Sequence, residues 1–547
     1  MAKAWLRHWP EGVRQTILYP EIPLPEMLSI AAKKYPNSTA IIFSKKSMTY
    51  QELDKLSNKL AHSLLNLGIK KGDRVALCLP NIPQFLICYF GAIRAGAIVV
   101  PCSPLYKERE LEFQLNDSEA ETIVTLDNLY GLIASLRART RLRNVITTAL
   151  FDFATDLPEA SAGSETKDIL PPGTVSLPDL VRGNTESPPK IAIDSKRDPA
   201  LLQYTGGTTG IPKAAILTHH NLVVNAIQFG SWLPTIREGR EVVLAALPLF
   251  HIFGMTVAMN MPILKAETIV LLPRFETLEV LKMIQNHAAT FFPGVPTMYI
   301  ALINDPHTAR FNLQTVRLCI SGGAPLPVEV MRKFESLIRG RLVEGYGLTE
   351  ASPVTHCNPV DRREKVRAGS IGIPLPDTEA KIVDIETGEH DLSADKNGEL
   401  VVRGPQVMAG YWNQPEETRL VLRHEWLYTG DIAKMDEDGY FYIVDRKKDM
   451  INVSGLKVWP REVEEVLYEH PAVKEAAVIG VADPYKGEAV KACLVLKEGF
   501  RGRVGAEDVV RFCKDKMAGF KVPTQVEFVY DLPKTPAGKV LRRDLHK

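Results

Sequence analysis

Between Thr49 and Pro101 the chain switches repeatedly between one-faced helical spacing and short apolar runs, and this alternation limits the fold more than any other feature. Thr49 with Glu52 three residues on makes a capping box. Leu53, Leu56, Leu60, Leu64 and Leu67 then recur at steps of three and four and so share one helix face, which Gly68 ends. A strand over Arg74–Leu79, an apolar helix over Gln84–Ala95 and a strand over Ala97–Pro101 follow. Alternation of this kind predicts α/β layers with mainly parallel strands. Further strands are expected at Thr122–Thr125, Glu241–Leu247, Glu267–Leu272, Thr290–Phe292 and Val316–Ser321. Residues 1–48 read as an entry segment with a Pro-rich linker at Tyr19–Met27, and residues 155–198 as a polar, irregular excursion. A chain of 547 residues exceeds one hydrophobic core, so two or more domains are expected.

Composition excludes several classes. A formal net charge of +1 gives no reason to expect a nucleic-acid partner. The seven cysteines are scattered, odd in number and without a CxxC pair, which points to thiols in a reducing compartment and to neither a disulfide framework nor a metal site. The first residues lack the apolar core of a signal peptide, and the last four, Asp-Leu-His-Lys, are no peroxisomal address, so a cytoplasmic setting is expected. Val242 to Ile263 is long enough to span a bilayer, but Pro248, His251, Asn260 and Pro262 interrupt it, and a core strand followed by a helix is the better reading. Peripheral membrane contact and a homodimer stay open.

The run Tyr204-Thr205-Gly206-Gly207-Thr208-Thr209-Gly210-Ile211-Pro212-Lys213 makes a poor helix and a poor strand. It suits a loop whose backbone approaches something closely. Exposed glycine N–H groups, the hydroxyls of Thr205, Thr208 and Thr209 and the charge of Lys213 suit a polyphosphate. Lys213 follows Pro212 and precedes Ala214, so the Walker pattern is not met. Downstream, His251 sits between Phe250 and Phe253, and Ser321-Gly322-Gly323-Ala324-Pro325 reads as a strand-to-helix turn with Pro325 near the first helical position. In Glu344-Gly345-Tyr346-Gly347-Leu348-Thr349-Glu350 a ring is flanked by glycines, and Glu350 offers the carboxylate oxygen a hard cation takes. Thr429-Gly430-Asp431 precedes a polar hairpin at Asp436–Gly439, and a strand over Tyr440–Val444 runs into Arg446-Lys447-Lys448.

Taken together and in this order, these motifs resemble those of the adenylate-forming superfamily: acyl-CoA synthetases, firefly luciferases and the adenylation domains of peptide synthetases. Ala214 stands where Gly is common. The resemblance covers essentially the whole chain and implies an α/β fold: a large N-terminal domain (1–445) of layered α/β subdomains with mainly parallel sheets plus a small β-barrel-like subdomain, a hinge (446–449), and a small mobile α+β C-terminal domain (450–547). It implies ATP, Mg²⁺ and CoA as cofactors and co-substrates. On this resemblance Thr205, Gly206, Gly207, Thr208, Thr209, Gly210 and Lys213 would close over the ATP phosphates. Gly323, Ala324 and Pro325 would pack on the adenine, together with Glu344, Gly345, Tyr346, Gly347, Leu348 and Thr349. Glu350 and Thr205 would serve Mg²⁺. Asp431 would bind the ribose, with Ile443 and Arg446 nearby. Lys448 would be the hinge, Gly455 in Asn452–Val458 would pass the pantetheine arm, and Lys539 in the final Pro/Gly loop would reach the substrate carboxylate and α-phosphate. His251 would close the carboxylate pocket.

The activity so implied is ATP-dependent joining of an acid to CoA through an acyl-adenylate. Amino-acid-activating relatives place an Asp directly after the His251 position. Ile252 stands there, which argues against an ammonium on the substrate. The chain is most similar to medium- to long-chain fatty-acid ligases. Apolar segments at Phe253–Ile263 and Phe291–Tyr299 are candidates for an acyl tunnel, with Trp232 as a candidate gate. An aryl-acid ligase of the 4-coumarate type is the second enzyme reading, and a stand-alone module loading a carrier protein is the reading of another class.

Overall fold

The computed structural model describes residues 3–154, 173–183, 185–205, 212–446, 449–454, 456–483, 485, 487–535 and 540–545. Its largest sheet has eight strands in the order Gly410–Tyr411, Lys213–Thr218, Pro199–Thr205, Ile98–Pro101, Arg74–Cys78, Thr122–Leu126, Asn144–Thr148 and Val175–Ser176. From Pro199–Thr205 to the last strand every neighbour is parallel. The expected helix is present as Tyr50–Asn66. Thr49 accepts the Glu52 N–H at 3.2 Å, and the Glu52 carboxylate accepts the Thr49 N–H at 2.7 Å. Leu53, Leu60 and Leu64 are buried. The apolar helix is Pro83–Arg94, buried all round because a sheet and other helices cover it.

A second layer orders Val242–Ala245, Thr268–Leu271, Thr39–Phe43 and Lys46–Thr49. Phe291 bridges Val243 to Leu318, joining this layer to Leu318–Ser321, Arg341–Gly347, Val354–Cys357 and Ile373–Pro374. The segment at Thr290–Phe292 therefore supplies isolated bridges where a strand was expected. An antiparallel sheet of Glu379–Val383, Gly398–Arg403, Trp426–Met435, Leu422–Arg423 and Phe441–Arg446 stands where a barrel-like subdomain was expected. A separate C-terminal domain carries its own sheet, with Val473–Asp483 and Gly487–Leu496 at its centre, and its own apolar core beneath the helices Pro460–Glu469 and Ala506–Lys514.

Three expectations need correction. The linker expected over Tyr19–Met27 ends inside the helix Glu26–Lys34, and the entry segment goes on into the hairpin strands Thr39–Phe43 and Lys46–Thr49. The helix after Ala324 starts at Val328, so Pro325 lies ahead of it and Pro327 takes the N-cap. Trp232 is fully buried at the end of the helix His219–Trp232, where its indole N–H donates to the Asn358 carbonyl at 3.2 Å and its ring meets Trp9 edge-on. It packs as a core residue and does not line the cleft. After the strand Val242–Ala245 the chain forms short helical turns, with a π-helical stretch at Thr256–Asn260. Among the described residues no helix is long and apolar enough to cross a membrane. All seven cysteines are buried and unbridged.

The entry segment is pinned near its middle by His219, whose Nδ1 accepts the Leu24 N–H at 3.1 Å. Burial of this ring lowers its pKa from 6.5 to about 4. A depressed folded-state pKa means the contribution is present above pH 6.5 and is lost as pH falls toward 4. Burial of His356, whose pKa is lowered to about 3, acts in the same sense. We expect the melting temperature to fall with pH across this window, His219 accounting for on the order of 3 kcal/mol. His219→Gln, which keeps an acceptor but does not titrate, should flatten the slope measured by thermal unfolding at pH 5 and pH 7.5.

Candidate active site

A cleft of about 1710 Å³ opens where the edges of these sheets meet the C-terminal domain. One wall comes from the glycine-rich hairpin. Pro199–Thr205 and Lys213–Thr218 pair antiparallel with Thr205 opposite Lys213, so both ends of the run 206–212 are fixed at the rim of the large sheet. Thr205 and Lys213 line the cleft. Gly206, Gly207, Thr208, Thr209 and Gly210 lie outside the described residues, as do Lys448, Gly455 and Lys539.

The second wall is the strand Arg341–Gly347 and the turn Thr349–Ala351, which bring Glu344, Gly345, Tyr346, Gly347, Leu348, Thr349 and Glu350 to the cleft. Gly347 has no alternative: a Cβ there would meet the Pro353 carbonyl oxygen at 2.1 Å. Opposite stands Asp431, buried in the strand Trp426–Met435. The antiparallel register pairs Asp431 with Arg446, whose Nε approaches its Oδ1 at 3.4 Å. The Tyr346 hydroxyl donates to Asp431 Oδ2 at 2.5 Å. Burial, reinforced by the Asp431 charge, pushes the Tyr346 phenol pKa well up, so it stays a donor. Ile443 completes this corner.

Two groups that the motifs did not single out organise the Lys213–Glu350 side of the cleft. Tyr411 donates to Glu350 Oε1 at 2.7 Å and so fixes the carboxylate. Glu417 forms an ion pair with Lys213, whose ammonium also lies 5.4 Å from the Tyr411 ring centroid. Both belong to the short segment 410–421, whose strand pairs back onto Lys213–Thr218. The aromatic at 411 beside a glycine was the available signal.

The floor is apolar. Gly322, Gly323, Ala324 and Pro325 line it with Phe250, His251, Ile252 and Phe253. His251 is half-buried and its Nδ1 accepts the Phe253 N–H at 3.3 Å, which caps its own helical turn. From the two tunnel candidates only the near ends reach the cleft: Phe253 and Gly254 from one, Val295, Pro296 and Thr297 from the other, with Ile300 just beyond. Met255, Val257, Ala258 and Met259 are fully buried core. From the C-terminal domain, Lys534, Thr535 and Val540 line the cleft on either side of residues 536–539. The hairpin Ile451–Val453 with Leu456–Val458 contributes no described residue to the lining.

The sequence profile of AMP-binding enzymes matches residues 28–412, and that of the AMP-binding enzyme C-terminal domain matches residues 462–539. The chain belongs to the AMP-binding enzyme family. This AMP-binding enzyme is 44% identical to a long-chain-fatty-acid–CoA ligase of Bacillus subtilis over 99% of its length and 97% of that protein's. It is 40% identical to the ligase of the same name from Yersinia pestis over 100% of its length and 98% of the relative's. Its fold matches an anthranilate CoA ligase solved with anthranoyl-AMP, with a TM-score of 0.85, 28% identity and 97% of each chain covered.

Shape at the floor is tight. A Cβ on Gly322 would lie 2.8 Å from the Phe253 ring. Gly322→Ala should therefore lower stability by roughly 1–3 kcal/mol, and Phe253→Leu should recover most of that loss in the double variant, read by thermal unfolding of the four proteins of the cycle.

Proposed function

We propose that this AMP-binding enzyme is a fatty-acid–CoA ligase. It activates a medium- to long-chain fatty acid with ATP and passes the acyl group to CoA, releasing pyrophosphate and then AMP. The observation that carries this reading is one cleft with a polar, cation-bearing end at Thr205, Lys213, Glu350, Asp431 and Arg446, and an apolar, uncharged end at Ile252, Phe253, Val295 and Ile300. Full-length similarity to long-chain-fatty-acid–CoA ligases supports it. Ile252 is buried at the floor and offers no partner to an ammonium, which supports a plain carboxylic acid.

In the first step a carboxylate oxygen attacks the α-phosphorus of ATP as the bond to pyrophosphate breaks. The protein's part is positioning and charge stabilisation. Asp431, held by Tyr346 and Arg446, accepts hydrogen bonds from the ribose hydroxyls. The 322–325 backbone forms the platform for the base. Lys213 leaves Glu417 for the phosphates, and Lys539 supplies a second charge beside the carboxylate. Glu350 suits Mg²⁺, because Tyr411 fixes one oxygen of its carboxylate and turns the group to the cleft beside the Thr205 wall. Such a site needs only one or two carboxylates besides the phosphates. When bound, Mg²⁺ neutralises charge on the phosphates. In the second step the C-terminal domain (450–547) turns about residues 446–449, Lys539 withdraws and the Gly455 hairpin comes forward. The CoA thiolate then attacks the acyl carbon and AMP leaves. Residues 534, 535 and 540 on the cleft support assigning the present orientation to the first step. The seven buried thiols support a cytoplasmic setting.

A pyrophosphate-release panel over acetate, hexanoate, palmitate, coumarate and amino acids, with and without CoA, tests the reading. We expect turnover with hexanoate or palmitate and a CoA-dependent acyl thioester; preference for coumarate would replace it with the aryl-acid reading. Lys539→Ala should abolish adenylate formation while thioester formation from supplied acyl-adenylate survives. Equal damage to both steps would refute the role given to Lys539.

A further inference from the structure

The boundary between the two domains is built from charge. Arg461, on the helix Pro460–Glu469, reaches across it. Its Nη1 donates to the Ile443 carbonyl at 2.6 Å, its backbone N–H donates to Asp445 Oδ2 at 2.9 Å, and its Nη2 faces Glu344 Oε1 at 3.8 Å. Its side chain is 8% exposed and that of Glu344 is 6% exposed. Arg542 donates to Asp445 at 2.8 Å and Asp449 at 3.3 Å, and holds Glu464 through two bonds of 2.9 Å. Glu465 lies 3.8 Å from Arg461 Nε. Two arginines thus serve five carboxylates, Glu344, Asp445, Asp449, Glu464 and Glu465.

The two arginines differ in what a rotation costs them. Arg542 keeps both bonds to Glu464, which lies in its own domain. Every short contact of Arg461 to Ile443, Asp445 and Glu344 crosses the boundary and breaks when the domain turns. Glu344 is then left as a buried carboxyl; its Oε2 already has no partner. Leaving one member of a buried pair behind is costly, so the Arg461 contacts favour the present orientation over its alternative. Glu344 also lies one residue before the Gly345–Gly347 stretch of the cleft wall, which couples the latch to the nucleotide end of the site.

We infer that Arg461 is a positioning residue that latches the C-terminal domain in the orientation presenting Lys534, Thr535 and residues 540–543 to the cleft, and so sets the division between adenylate formation and thioester formation. This rests on the two-step reading given above. Arg461→Met in the full chain removes the guanidinium and keeps its bulk. Arg461→Lys keeps the charge but lacks the fork that serves the Ile443 carbonyl and Glu344 together.

The test follows both half-reactions with palmitate, and follows domain orientation by pulsed EPR between spin labels on Glu386→Cys and Lys514→Cys, both exposed positions. We expect Arg461→Met to slow pyrophosphate release at least tenfold, to leave thioester formation from supplied acyl-adenylate within twofold, and to add a second inter-label distance. Arg461→Lys should fall between. An unchanged distance distribution overturns the latch, as does an equal fall in both half-reactions. Absence of adenylate formation by the unsubstituted enzyme with every acid refutes the ligase reading instead, and the EPR comparison still decides the latch.

Discussion

The hydrogen bond from Tyr346 to Asp431 holds the site together. Tyr346 belongs to a strand that continues the parallel layer of Leu318–Ser321, and Asp431 to an antiparallel sheet built from residues 379–446. Backbone hydrogen bonds at the Gly372–Phe441 bridge join the two sheets elsewhere, and the Tyr346–Asp431 bond ties them again on the cleft. The bond is strong for a physical reason: a buried phenol with its proton held donates to a carboxylate oxygen, and Arg446 stands beside the other oxygen. One oxygen of Asp431 faces Tyr346 and the other faces Arg446, which fixes the plane of the group.

A similar principle runs along the wall that carries Lys213 and Glu350. Lys213 and Glu350 are both engaged, by Glu417 and Tyr411, on the segment 410–421 that pairs with the glycine-rich hairpin. Pairing of this kind stores a cation beside the site without leaving it uncompensated. In the proposed reading a polyphosphate would exchange one anion for a more highly charged one, so the cost of freeing Lys213 would be offset on arrival of the ligand.

The sequence made local features legible and long-range ones not. The Thr49–Glu52 cap, the Pro83–Arg94 helix and the strands at 74–78, 98–101 and 122–126 follow from side-chain type within a few residues. The motif residues Thr205, Lys213, 323–325, 344–350, Asp431 and Arg446 do converge on one cleft. Trp232 misled because an indole can pack in a core when its N–H finds a carbonyl, and Asn358 is 126 residues away. No strand was expected in the entry segment because its strand Thr39–Phe43 is completed by Thr268–Leu271, far along the chain. Arg461 carries no local signal for the same cause: its partners lie at 344, 443 and 445.

These partners also explain why the interface is polar. An apolar contact of equal area would hold the two domains in one arrangement, since its free energy is non-directional and has no second state of comparable depth to offer. Hydrogen-bonded ions are different. Each can trade its partner for water or for a ligand's charge, so the balance of orientations can shift by the small free energies that substrate binding supplies. In the proposed two-step reading, an excess of carboxylates over arginines would keep the present arrangement from becoming a trap. Glu344 shows the tension directly: burial raises its pKa to about 7 despite the pull of Arg461. A carboxyl poised near neutrality accepts a proton when its cation leaves, which lowers the cost of opening the contact that holds the domain in place.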